Sequence, residues 1–192
     1  MNWEAWFRQT VFVTGNLNKV KEAERILGAS LKHATLEGIQ EIQTASVQEL
    51  IKDKAMQAHA KIGKPTLVED SGLIFEAWNE LPGALVKWFE VNVGCEGMLK
   101  MLDGFADRKA RAVCCAAWYD GETMVVGTGE AAGSICNEIR GEGGFGWDVI
   151  FMPEGHDRTF AEMSAGEKDA ISHRKRAFES LRKEMQLRFK ES

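Results

Sequence analysis

Thr66-Leu67-Val68-Glu69-Asp70-Ser71-Gly72-Leu73 sets a β-prone apolar run against two adjacent acids and a Ser-Gly pair. A buried strand that delivers carboxylates to a tight turn holds charge at high cost unless a cation or a hydrogen-bond donor meets it there. The stretch is therefore read as a strand, a turn at Ser71-Gly72 and a metal and phosphate site at its tip. The plain alternative is a solvated loop in which Asp70 caps the turn.

Working outward toward the N-terminus, Val11-Phe12-Val13 is a short buried strand, and Val20, Ala23, Ile26 and Leu27 recur at helical spacing as far as Gly28. Thr14-Gly15-Asn16 joins the two. Free N–H groups at a helix start, with Gly15 permitting close approach and Lys19 one turn in, form a phosphate cradle; a simple glycine turn is the alternative. Residues 31–36 suggest a second strand. Ser46, with Glu49 at the capping-box position, opens a helix through Leu50, Lys54, Ala58 and Ile62 that Gly63-Lys64-Pro65 stops. Glu41 lies between these elements, and a lysine such as Lys54 on a charged helix is ordinarily solvated.

Toward the C-terminus, Leu81-Pro82-Gly83 is a turn leading into Lys87-Trp88-Phe89, and residues 94–105 carry Met98, Leu99 and Leu102 on one helical face. Residues 110–119 and 123–128 form a hairpin about Asp120-Gly121, with a third run at 133–139 extending the sheet. A Gly-rich loop, 141–146, then runs into Phe145-Gly146-Trp147-Asp148. Lys168 to Arg174 opens one long terminal helix, striped by Ala177, Phe178, Leu181, Met185 and Phe189. This order predicts an α/β protein with a mixed sheet flanked by helices, two lobes and an active site in the cleft between them. The chain reads as a single domain, 1–192, with 1–10 as an N-terminal extension.

Composition narrows the function classes. The 192 residues are 44% apolar and 28% charged, with a net charge of −5, which argues against bulk nucleic-acid binding. The basic excess sits at residues 168–190, where eight Lys/Arg face three acids, so that end suits an anionic ligand. Cys95, Cys114, Cys115 and Cys136 lack C-x-x-C spacing and read as small core residues of a reducing, cytoplasmic setting. Trp3, Trp6 and Phe7 do not make a signal peptide, and no stretch is long and apolar enough for a membrane span.

Taken together, Thr14-Gly15-Asn16-x-x-Lys19, Val68-Glu69-Asp70-Ser71-Gly72-Leu73, Leu81-Pro82-Gly83, Phe145-Gly146-Trp147-Asp148 and Ser172-His173-Arg174 resemble the inosine triphosphate pyrophosphatase family. The resemblance runs from Val11 into the terminal helix, with the motifs in the family's order. Lys87-Trp88-Phe89 and Trp147 look more like the eukaryotic branch, Asp70-Ser71-Gly72 more like the bacterial one. Val149 stands where many relatives have Pro, which loosens that loop.

The resemblance implies hydrolysis of non-standard purine triphosphates (ITP, dITP, XTP) to monophosphate and pyrophosphate, with Mg²⁺ or Mn²⁺ as cofactor, in a homodimer. It implies Glu41 and Asp70 as metal ligands, Asp70 also as the catalytic residue that orients or deprotonates water, and Glu69 as a further ligand or a partner of the ligands. Thr14, Gly15, Asn16, Lys19, Lys54 and Ser71 would hold the triphosphate. Lys87, Phe145, Gly146, Trp147, Asp148, Lys168, His173 and Arg174 would surround the nucleoside, with Phe145 or Trp147 stacking on the purine. For Arg174, leading Lys175 and Arg176, a solvated helix face is the alternative, and for Trp147 a core position. His33, His59 and His156 fall outside the motifs and are assigned no catalytic role. Two other readings stay open: a related pyrophosphatase for modified pyrimidine or methylated nucleotides, and a non-catalytic nucleotide sensor.

Overall fold

The computed structural model describes residues 9–189. Most of the N-terminal extension, with Trp3, Trp6 and Phe7, and Lys190 of the basic end lie outside them. Seven strands form one sheet: β1 (Val11–Val13), β2 (Lys32–Ala34), β3 (Thr66–Phe75), β4 (Pro82–Gly83), β5 (Lys109–Tyr119), β6 (Met124–Ile135) and β7 (Phe151–Pro153). Its order is β2-β1-β3-β5-β6-β7, with β4 pairing β3 beside this path. β1 runs parallel to β2 and β3, while the other pairs are antiparallel, so the sheet is mixed as the sequence predicts.

Among the described residues six α-helices flank the sheet: α1 (Leu17–Leu27), α2 (Val47–Ile62), α3 (Val86–Asn92), α4 (Gly94–Leu102), α5 (Ala165–Ile171) and α6 (His173–Arg188). Their sequence signals work locally. Ser46 Oγ accepts the Glu49 N–H, Gly28 and Gly63 close α1 and α2 in the left-handed region, and Asp120 Oδ1 accepts the N–H groups of Glu122 and Thr123 in the hairpin turn. Glu49 departs from a reciprocal capping box, because its carboxylate takes the Thr44 hydroxyl.

Alternation along β3 divides the core. Leu67 faces the side covered by α1 and α6, packing with Phe12, Ala23, Trp118, Phe178 and Leu181. Val68 faces α2, packing with Ile51, Ala55 and Ala58. Leu73 and Phe75 extend the first side into a third cluster with Met98, Leu102, Phe151 and Phe160.

Three sequence expectations change. Ser71-Gly72 is not a turn: β3 continues unbroken to Phe75, because β5 pairs every residue from Thr66 to Phe75. Residues 133–139 are not a separate strand, since β6 runs continuously to Ile135. Its glycines are points of close approach, and a Cβ on Gly127 or Gly129 would collide with the backbone of α6. The terminal helix is two helices, for Ser172 is extended (φ −67°, ψ 152°) and its Oγ accepts the Lys175 N–H at 3.1 Å. That break turns Lys168 and Arg174 inward.

Candidate active site

β5 occupies one whole edge of β3, so β1 and β4 share the other. β1 reaches only Thr66 and Leu67, and β4 pairs Leu73 and Ile74. The edge between them, residues 68–72, is left open. Gly72 allows this spacing, since a Cβ there would come within 2.8 Å of the Gly83 backbone and 2.7 Å of Val47. The β1–α1 loop and the start of α1 close over the gap.

Asp70 and Glu69 point to opposite faces of the sheet, as neighbours on a strand must. On the α2 side, Lys54 Nζ donates to Asp70 Oδ2 at 2.8 Å and to Glu41 Oε1 at 2.9 Å. On the α6 side, Glu69 Oε1 accepts from Ser71 Oγ (2.7 Å), Cys114 Sγ (3.1 Å) and Arg174 (3.1 Å). Lys19 reaches both, 3.0 Å from Asp70 Oδ1 and 3.3 Å from Glu69 Oε2. Arg174 continues to Glu22, which also accepts from Lys168 at 2.8 Å, and Lys168 reaches Asp148 Oδ2 at 2.5 Å.

Nine charges thus alternate in one chain of contacts: Glu41, Lys54, Asp70, Lys19, Glu69, Arg174, Glu22, Lys168, Asp148. Burial alone would neutralise such carboxylates, but the adjacent cations win where two of them converge. Asp70 is held down at about 2 by Lys19 and Lys54 against its burial, and Glu69 is held well below the carboxylate range by Arg174 and Lys19. At Asp148, burial outweighs Lys168 and the value is raised. Lys19 and Lys54 are both raised, their desolvation overcome by these acids.

A cavity of about 470 Å³ brings together Thr14, Gly15, Asn16, Lys19, Glu41, Lys54, Asp70, Ser71, Lys87, Phe145, Gly146, Trp147, Asp148, His173 and Arg174. Lys168 and Glu69 lie behind its wall, joined to it through Asp148, Arg174 and Lys19. Asn16 caps α1, its Oδ1 accepting the N–H groups of Asn18 and Lys19, so the helix start is already partly satisfied. Lys54 and Arg174 are not solvated: the Lys54 side chain is 16% exposed and that of Arg174 2%. His173 is buried against Trp147 and Phe160, and burial with neighbouring cations drives its pKa well below the usual value, leaving it neutral.

The aromatic loop separates its two rings. Trp147 is buried against Phe151 and His173, the core position. Phe145 is half-buried, with Lys168 Nζ 4.7 Å and the Arg174 guanidinium carbon 5.4 Å from its ring centre. Phe145 is therefore the ring available to a flat ligand.

Nothing in the sequence singles out Glu22 or Glu90 as site residues, and Cys114, which reads as a small core residue, also donates to Glu69. Glu22 sits on a charged helix where a glutamate reads as solvated, and its partners arrive from 146 and 152 residues away. Glu90 of α3 lines the cavity beside Gly146.

Comparison with known proteins agrees with this architecture. The Ham1 family model matches residues 10–184. The dITP/XTP pyrophosphatase of Methanopyrus kandleri is 41% identical over 175 residues, covering 89% of this chain and 93% of that protein. The inosine triphosphate pyrophosphatase of Yarrowia lipolytica is 43% identical over 177 residues, covering 90% and 93%. Among solved structures, the nucleoside-triphosphatase / dITP/XTP pyrophosphatase of Mycobacterium abscessus aligns with a TM-score of 0.70 at 32% identity, over 90% of this chain and 98% of that one. A HAM1 protein from Coxiella burnetii aligns at 0.79 and 28%, over 95% and 98%. With a family model spanning nearly all of its described residues and relatives this similar along their own length, the chain belongs to the Ham1 family.

Proposed function

We propose that the chain hydrolyses non-standard purine nucleoside triphosphates, ITP, dITP and XTP, to the monophosphate and pyrophosphate, clearing them from the nucleotide pool. The observation that carries this reading is one cavity with two unlike ends. Lys19, Lys54, Glu41 and Asp70 provide a phosphate and cation end, and Phe145 with the 146–148 loop provides a base end. The names of the relatives support the substrate class.

Lys19 and Lys54 are placed to pair with phosphate oxygens, where charge grows on the departing pyrophosphate. Asp70, ionised at neutral pH, orients the attacking water and accepts its proton as the bond breaks. Thr14 adds a hydroxyl to the cavity wall, and Ser71 Oγ, donating to Glu69 and accepting from Arg174, steadies that pair behind it. Glu69 holds Arg174 and Lys19 in place: its Oε1 accepts from Ser71, Cys114 and Arg174, while Oε2 lies 3.3 Å from the Lys19 ammonium without a hydrogen bond.

A magnesium ion fits two of the three acids expected for it. Glu41 and Asp70 already converge on one cation, the Lys54 ammonium, and among the described residues no three His, Cys, Asp or Glu side chains form a cage. Mg²⁺ is commonly held by one or two carboxylates together with substrate phosphates and water, so this sparse pair suits it; Mn²⁺ is the alternative ion. Bound there, the ion would neutralise the triphosphate and lower the pKa of its water. The nine linked side chains, five acids to four bases, carry no spare positive charge for a triphosphate that arrives alone.

We also propose a cytoplasmic homodimer. Trp88, Val91, Val93, Met101 and Phe105 expose apolar surface along one segment, and a second copy covering them would remove it from water. Sedimentation tests this. A panel of ITP, XTP, ATP, GTP, UTP and CTP with a pyrophosphate readout, with and without Mg²⁺, tests the activity; binding of ITP without turnover would make the protein a sensor.

A further inference from the structure

Glu90 has no assigned role, yet it stands in the cavity wall with Lys87 on one side and the 145–148 loop on the other. Its carboxylate rests against the one residue of that loop without a side chain. Gly146 is in the left-handed region (φ +62°), and a Cβ there would come to 2.5 Å from Glu90 Oε1. The same oxygen is buried and makes no hydrogen bond within the protein. From the far side Cys95 Sγ lies 3.7 Å from the Gly146 carbonyl, so α3 and α4 together fix this glycine.

A buried carboxylate oxygen with no hydrogen bond is destabilising, and a donor brought to it is correspondingly favoured. The nearest cations are already engaged or lie at a distance: Lys19 is bonded to Asp70 and Glu69, and Lys87 is exposed. Burial raises the carboxyl pKa, with Asp148 pushing the same way, while the Trp147 backbone N–H, Lys19 and Lys87 only partly offset it. The group lines the base end of the cavity, within reach of donors that a bound nucleotide would bring.

We propose that Glu90 is a specificity-determining residue that accepts the N1–H of a 6-oxopurine. This rests on the reading of Phe145 and the 146–148 loop as the base end. A 6-oxopurine in its lactam form carries a hydrogen on N1, whereas a 6-aminopurine carries a lone pair there. A carboxylate oxygen at that edge gains a hydrogen bond from the first and meets a second acceptor in the other. Guanine shares the N1–H, so the assignment concerns rejection of ATP and not of GTP.

The test is the ratio of kcat/KM for ITP to that for ATP, in Mg²⁺, for the wild type, Glu90→Gln and Glu90→Leu. Gln keeps the volume under Gly146 and can rotate its amide to donate to adenine N1. The ITP-to-ATP ratio is expected to fall about tenfold or more in Glu90→Gln and to fall in Glu90→Leu. A purely structural Glu90 would lower both nucleotides together, and a ratio within twofold of wild type in Glu90→Gln overturns the assignment while the proposed function stands. A wild type that releases no pyrophosphate from ITP overturns both. Melting temperatures of the variants identify any loss that comes from unfolding, and Glu90→Gln keeps the ratio readable if Glu90→Leu does not fold.

Discussion

Lys54 Nζ lies 2.8 Å from Asp70 Oδ2, and the bond joins a helix lysine to an acid on the open edge of β3. Since Lys19 holds the other Asp70 oxygen at 3.0 Å, the carboxylate is fixed in direction between two cations. Asp70→Asn keeps the shape and removes the charge that we propose orients the attacking water. The expected result is a loss of kcat on the order of 10²-fold or more, with an unchanged circular dichroism spectrum. Activity within tenfold of wild type would remove Asp70 from the chemistry.

Arg174 is a buried centre of the structure. Its guanidinium meets Glu22 of α1 and both Glu69 and Ser71 of β3. Arg174→Leu removes one of the two cations that meet each of two buried carboxylates and should destabilise the fold by roughly 3–5 kcal/mol, measured by urea unfolding. Arg174→Lys keeps the charge but cannot span the same fork, so a partial loss is expected.

Acid should weaken the fold through the same acids. Asp70 has a folded pKa of about 2 against an ordinary value of 3.8, and Glu69 is depressed as well. A depressed carboxylate contributes stability that is complete above its unfolded pKa and is lost as pH falls through the folded one. Unfolding free energy should therefore be flat between pH 7 and 5 in this contribution and decline from about pH 4 toward 2. In Glu69→Gln part of that decline should disappear; an unchanged slope would show that the depressed acid is elsewhere.

The site also depends on two glycines remote from its chemistry. Gly127 and Gly129 of β6 lie directly under α6, with the Ala177, Leu181 and His173 backbones in contact range. Gly129→Ala must push out the helix that carries His173 and Arg174. A destabilisation of about 1–3 kcal/mol is expected, with a fall in kcat/KM beyond what the unfolded fraction explains. An unaltered melting temperature would contradict the packing described.

Which features the sequence disclosed follows from the range of the forces involved. Helix caps at Ser46, Gly28 and Gly63 and the Asp120 turn act over a few residues, and each stands where the sequence predicts. Ser71-Gly72 misled because Ser-Gly favours turns locally, whereas β5 supplies partners for the whole of β3 from forty residues away. The break at Ser172 leaves no mark in the apolar stripe, because Ala177 to Phe189 lie wholly beyond it. Glu22 was unreadable for the same reason as the glycines of β6: its burial is created by Lys168 and Arg174, which only the folded chain brings near. Most of the motif residues line one cavity while Glu69 and Lys168 lie behind its wall, and only geometry shows that Trp147 belongs to the core and that Phe145 is half-buried beside Lys168.

The most direct test is product analysis with ITP and Mg²⁺, using purified wild-type protein and separating nucleotides from phosphates. One IMP and one pyrophosphate per ITP consumed, with turnover lost in Asp70→Asn, is the predicted result. IDP with orthophosphate would contradict the account.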